Sequence, residues 1–119
     1  MDLIKAGIIC REAGFNWGRG SWWGVARYTE DFYEKCWVQT EDIPFESIGL
    51  YLPLLTKGAT RGVILEWVQH QVCDEKVHIG FCLGYYWVFS EKYTTERLDA
   101  NSWHSAYARL CQWAKEELK

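Results

Sequence analysis

The chain has 119 residues, a net charge of −3, 49% apolar and 24% charged residues, which suits one globular domain over 1–119 that can close its own core. No Lys/Arg block gives the electrostatic footprint of a nucleic-acid binder, and no apolar run approaches the length of a membrane span. Five cysteines without paired CxxC spacing do not make a disulfide framework.

At the start of the chain, Asp2 can cap a helix from Leu3 to about Ala13, with Gly14 as its stop; Gly7 in its middle argues against it. The next stretch, Gly14 to Gly24, reads GFNWGRGSWWG. Its glycine spacing is neither GxGxxG nor a GK[ST] phosphate loop. It is either a turn-rich entry into a strand, with tryptophans folded onto the core, or a loop presenting aromatic faces to a partner.

Ser21 to Thr40 fits two templates. At helical spacing Trp22, Val25/Ala26, Phe32/Tyr33 and Cys36/Trp37 form a stripe, with Asp31–Lys35 an i,i+4 pair. As strands, Trp22–Tyr28 and Phe32–Gln39 flank a turn at Thr29-Glu30-Asp31. Aromatic and β-branched content, and Gly24, favour strands. On a strand the adjacent Trp22 and Trp23 point to opposite faces, so only one can enter the core. Asp42 to Leu52 reads as a short helix with Pro44 in its first turn and Pro53 at its end. Thr56-Lys57-Gly58 is a loop. Thr60 to Val72 is a helix whose apolar stripe is Ile64, Trp67, Val68 and Val72, with Glu66, His70 and Cys73 on the opposite side.

Val77 to Glu91, VHIGFCLGYYWVFSE, is the densest β-forming run and reads as a hairpin turning at Gly84-Tyr85 in a type II′ turn. One face carries Val77, Ile79, Phe81, Leu83, Tyr86 and Val88, which we assign to the core. The other carries His78, Gly80, Cys82, Trp87, Phe89 and Glu91, and needs a cover, either the first helix or a second copy of the chain. A register shift of two residues preserves both faces. After a polar loop at Thr94-Thr95, Asn101 or Ser102 caps a final helix to Leu118, with Trp103, Ala106, Tyr107, Leu110, Ala114 and Leu118 at helical period.

The fold expected is therefore α+β: an antiparallel sheet of three to four strands packed against two or three helices. For function, the strongest feature is aromatic surplus, with eight tryptophans. Trp, Tyr and Arg dominate protein-binding hot spots, and Trp17, Arg19, Trp22, Trp23, Arg27 and Trp87 are the candidate binding residues. The plain alternative is that a small domain uses Trp as core filler. A weak metal candidate is His70, Cys73, His78 and Cys82; the H-x2-C-x4-H-x3-C spacing matches no known zinc pattern. Cys73 beside His70 is the local nucleophile–base pair, and Glu66, Glu91 and Asp99 are the carboxylates available for acid–base work; surface placement explains all of them. His104 reads as a solvent residue.

These features favour a non-enzymatic protein-binding module, an inhibitor or accessory factor such as a phage or mobile element carries, with no cofactor and with a homodimer buried through the second hairpin face. The alternatives are a small-molecule (sugar or nucleotide) binding domain with an aromatic pocket, then a metal-dependent or cysteine hydrolase. The opening MDLIKAGIICREAG is too short and too charged for a signal peptide, so a reducing cytoplasm is expected.

Overall fold

A computed structural model describes residues 1–26 and 29–118. In chain order these form α1 (Leu3–Glu12), β1 (Trp22–Val25), α2 (Glu30–Lys35), β2 (Trp37–Gln39), 3-10 turns at Thr40–Asp42 and Phe45–Leu50, β3 (Tyr51–Pro53), α3 (Gly58–Gln71), β4 (His78–Cys82), β5 (Tyr85–Phe89), β6 (Glu96–Leu98) and α4 (Trp103–Glu117). The architecture is α+β. The strands form two three-stranded antiparallel sheets, in the orders β2-β1-β3 and β4-β5-β6. The sequence pointed to one such sheet; the second arises because β3 and β6, three residues each, supply third strands too short to show alternation.

Helix α1 begins where Asp2 accepts the Lys5 N–H at 2.7 Å, and it is followed by Gly14 at φ +115°. Gly7 belongs in this helix for a packing reason. A β-carbon there would stand 3.1 Å from Leu52 Cβ and 3.1 Å from the Tyr33 hydroxyl, so the glycine lets α1 approach β3.

The stretch 21–40 departs from both expectations. Its ends are strands, but its middle is the short helix α2. Thr29 caps it, accepting from Phe32 N at 3.3 Å, and Glu30 and Asp31 occupy the first turn with Lys35 in the last. The Asp31–Lys35 pair forms at 3.1 Å on the exposed side. Capping and charge placement override the strand propensity of Phe32 and Tyr33. The segment expected as a helix from Asp42 is a 3-10 turn instead, entered after Pro44. The Arg11 guanidinium holds three carbonyls at its end, those of Ile48, Gly49 and Tyr51. Pro53 lies at the end of a strand rather than of a helix.

The main core lies between the helices and the two sheets. Phe15 and Trp23 stack at 5.8 Å under α3, and Val68, Val72, Val77, Val88 and Leu110 continue the same cluster to the second sheet. Helix α4 starts at Ser102, whose hydroxyl accepts from Ser105 N at 3.3 Å. It packs on α1, α3 and the inner face of β4 and β6. Cys10 of α1 meets Cys111 of α4 there; the hydrogen bond with Cys10, and then burial, push the Cys111 thiol well above its ordinary pKa. Because α1 packs on α4 and β3, it does not serve as the cover expected for the outer hairpin face.

Asp74 fastens the base of the second sheet. Its carboxylate accepts from Lys76 N at 3.0 Å, from Glu91 N at 3.2 Å, from Lys92 N at 3.1 Å and from the Ser90 hydroxyl. The Ser90 hydrogen bond is the leading reason its pKa lies below the usual carboxylate value.

Candidate interaction surface

The hairpin β4–β5 pairs Cys82 with Tyr85, Phe81 with Tyr86, Gly80 with Trp87, Ile79 with Val88 and His78 with Phe89. Its two-residue loop is therefore Leu83-Gly84, one position earlier than the sequence suggested. Both loop residues have positive φ, +54° and +81°, the signature of a type I′ turn rather than II′. The change is a register shift of two, so each side chain keeps its expected face.

The fate of the apolar face changes along its length. Val77 and Val88 are buried at its base, and Ile79 and Tyr86 are half-buried. Beyond them the face leaves the core: Phe81 is 57% exposed and Leu83 87%. Across the turn, Tyr85 is 49% exposed. The expectation that Phe81 and Leu83 lie in the core is thus corrected. The helical cover ends at the level of Tyr86, which meets Trp103 of α4 edge-on at 4.8 Å. Phe81 continues that contact at 4.8 Å and Tyr107 extends it at 6.5 Å, so four aromatic rings run from the hairpin tip onto α4.

The opposite hairpin face is partly covered: Gly80, Trp87 and Phe89 are half-buried, while His78 and Cys82 are exposed. His78 stacks on Phe89 at 5.0 Å, and the Phe89 ring lies over Gly80, where a β-carbon would come within 2.8 Å of it. Trp87 donates its indole N–H to the Cys82 carbonyl at 3.0 Å. The Arg97 guanidinium lies 4.6 Å over the Tyr85 ring.

Leu83 breaks two local rules together. A γ-branched residue in the left-handed region costs on the order of 1 kcal/mol, which the usual Asn or Asp of a type I′ turn avoids. Its side chain also gains no burial in the monomer. Leu-Gly in place of Asn-Gly was the clue in the sequence, visible once the loop is placed correctly.

The six candidate binding residues do not form one patch. Trp17 and Arg19 are exposed on the loop before β1. Trp22 is half-buried and meets Trp37 edge-on at 4.5 Å, while Lys57 Nζ sits 3.9 Å over the Trp37 ring. Trp23 is in the core and donates its indole N–H to Ser21 Oγ at 2.8 Å, so it reaches no partner directly. Arg27 lies outside the described residues. Trp87 belongs to the other sheet and is half-buried on the second hairpin face.

The glycine-rich loop before β1 is closely held. Gly18 has no room for a β-carbon, which would be 2.6 Å from Val63 and 2.8 Å from Phe15. Its carbonyl accepts from Thr40 Oγ1 at 2.8 Å, and Glu41 accepts from Gly20 N at 2.6 Å. Phe15 and Trp23 fold onto the core, as in the turn-rich-entry reading, while Trp17 and Arg19 stay outside.

His70, Cys73, His78 and Cys82 are all exposed, and no group of three or more His, Cys, Asp or Glu side chains is placed to hold a metal ion among the described residues. Cys73 Sγ contacts the His70 carbonyl at 3.8 Å. Glu66, His70 and Cys73 share an open depression with Gln69 and Glu75, away from Asp99, which lies beside Arg109. His104 is half-buried rather than free in solvent; its Nε2 lies 2.9 Å from the Met1 carbonyl and ties the chain start to α4. No helix among the described residues is long and apolar enough to cross a membrane. No family model, curated protein or solved structure matches the chain.

Proposed function

We propose that this chain is a non-enzymatic protein-binding module whose contact element is the β4–β5 hairpin with the aromatic row behind it. One observation carries this reading: Leu83, held at positive φ and almost wholly exposed, heads a tip where Phe81 and Tyr85 are exposed too. Exposed apolar groups clustered at a rigid projecting element mark contact sites more often than scattered single residues do. A cytoplasmic location belongs to the same reading, since exposed thiols at Cys36, Cys73 and Cys82 suit a reducing compartment. The test is quantitative capture from native lysate with the parent chain and with Phe81→Ser. Partners should be retained by the parent and depleted by the variant at equal folded content. Identical capture by both would remove the hairpin as the contact element.

A second reading, a small-molecule site, draws on the groove beside the hairpin, lined by Phe81, Tyr85, Tyr86, Arg97 and Asn101 among others. Aromatic faces with a guanidinium could stack on a sugar or base. A panel of sugars and nucleotides that leaves tryptophan fluorescence unchanged would end this reading.

A further inference from the structure

We propose that two copies of the chain join edge to edge through β4, in the antiparallel register whose twofold axis passes between the two Gly80 residues. This rests on reading the hairpin as an interaction element and names its partner as a second copy. Strand β4 is the terminal strand of its sheet. Its sequence, His-Ile-Gly-Phe-Cys, has none of the Lys, Pro, Asp or Glu residues that ordinarily block an open edge.

The backbone of that edge selects its occupant. In a hairpin with a two-residue loop the closing pair, Cys82 with Tyr85, is the hydrogen-bonded kind. Alternation then directs the N–H and C=O of Cys82, Gly80 and His78 toward β5, and those of Ile79 and Phe81 away from it. Val77, next along, is already committed: its N–H donates to the Asp74 carbonyl at 3.3 Å and its carbonyl accepts from Gln69 Nε2 at 2.8 Å. The open edge is therefore two residues long, with two donors and two acceptors.

Placing Ile79 opposite Phe81 of the second copy, and Phe81 opposite its Ile79, uses all eight groups of the two edges. Shifting the register by two in either direction pairs one residue with itself and leaves the other facing Val77 or the turn residue Leu83. The favoured register also matches side chains. Ile79 and Phe81 lie on the face that carries the helices, so each exposed Phe81 gains an apolar neighbour across the axis. On the other face Gly80 meets Gly80 in a close pair, which needs small residues because each Phe89 ring already covers its own glycine. The product is a continuous six-stranded sheet with both α4 helices on one side.

The register makes a sharp geometric demand. His78 stands opposite Cys82 of the second copy in a non-hydrogen-bonded pair, where Cα atoms are about 4.5 Å apart, inside the range of roughly 4.4–6.8 Å that a disulfide spans. Within one chain the same two positions are about 13 Å apart along the strand and cannot be bridged. The experiment is sizing of the parent at high micromolar concentration, and mild oxidation of His78→Cys with mass mapping of the linkage. We expect the parent at twice the 14.0 kDa chain mass, and His78→Cys converted to a covalent dimer linked from position 78 to Cys82. Phe81→Pro should be monomeric and folded, since it removes an outward N–H and leaves the β5 ladder intact. A parent that stays monomeric overturns the dimer, and so does oxidation that yields no 78-to-82 linkage. Either result leaves the hairpin reading standing or falling on the capture comparison with Phe81→Ser.

Discussion

Tyr33 lies so close to Gly24 that a β-carbon on the glycine would come within 2.5 Å of the Tyr33 carbonyl oxygen and 2.7 Å of its ring. The same phenol faces Gly7 of α1, and its hydroxyl donates to the Pro53 carbonyl. Two glycines on different elements thus make one seat for a residue that α2 delivers, and burial pushes the Tyr33 hydroxyl far above its ordinary pKa. Gly24→Ala should cost roughly 1–3 kcal/mol or more, because a backbone oxygen cannot move aside as a side chain can. Tyr33→Phe should cost about 1–3 kcal/mol by leaving the Pro53 carbonyl unpaired. Urea denaturation of both checks this, and a near-neutral Gly24→Ala would contradict the packing described.

The adjacent tryptophans of β1 should separate in the same assay. Trp23 is fully buried, and Trp23→Ala should cost roughly 3–5 kcal/mol, read directly as loss of folded protein. Trp22 is half-buried against Trp37, and Trp22→Ala should cost only about 1 kcal/mol. Equal losses would mean that both indoles serve the core alike.

Acid should loosen the base of the hairpin through Asp74. Its folded-state pKa is lowered, chiefly by the Ser90 hydroxyl and also by backbone N–H donors. A depressed carboxylate stabilises the fold above its unfolded pKa of about 3.9, and that stabilisation is lost as pH falls through the lower folded value. Asp74→Asn should therefore melt earlier than the parent at neutral pH, and the gap should close below about pH 4. A gap that is constant with pH would show that charge is not the source.

Thiol accessibility divides the cysteines. Cys36, Cys73 and Cys82 are exposed, whereas Cys10 and Cys111 are buried against each other. A colorimetric thiol reagent should titrate the first three quickly and the last two only on denaturation. Fast reaction of all five would show that α1 and α4 separate readily.

Much of this architecture is written locally. Asp2 and Gly14 bracket α1, Ser102 starts α4, and the period-two pattern of Val77–Val88 assigns the hairpin faces even though the turn lies one residue before Gly84-Tyr85. What escaped depends on tertiary context. β6, Glu-Arg-Leu, is strand only because β5 is beside it. β3 contains Pro53, which locally reads as a helix stop. α2 interrupts an aromatic run that favours strand everywhere except at its cap. Most telling for the site, period two cannot say where α4 ceases to cover the sheet, so Val77 and Phe81 look equivalent in sequence and differ completely in exposure. Residue type alone does not separate Trp23 in the core from Trp17 outside it.

The role of the hairpin tip is tested most directly by Leu83→Asn, compared with the parent in chemical denaturation and in capture of partners. Asparagine suits the positive φ of a type I′ turn, and no buried contact is lost with the leucine side chain. The variant should be more stable by roughly 0.5–1 kcal/mol while binding its partners at least several-fold more weakly. A variant that is less stable, or one that captures partners as well as the parent does, would contradict the assignment of this tip as the contact element.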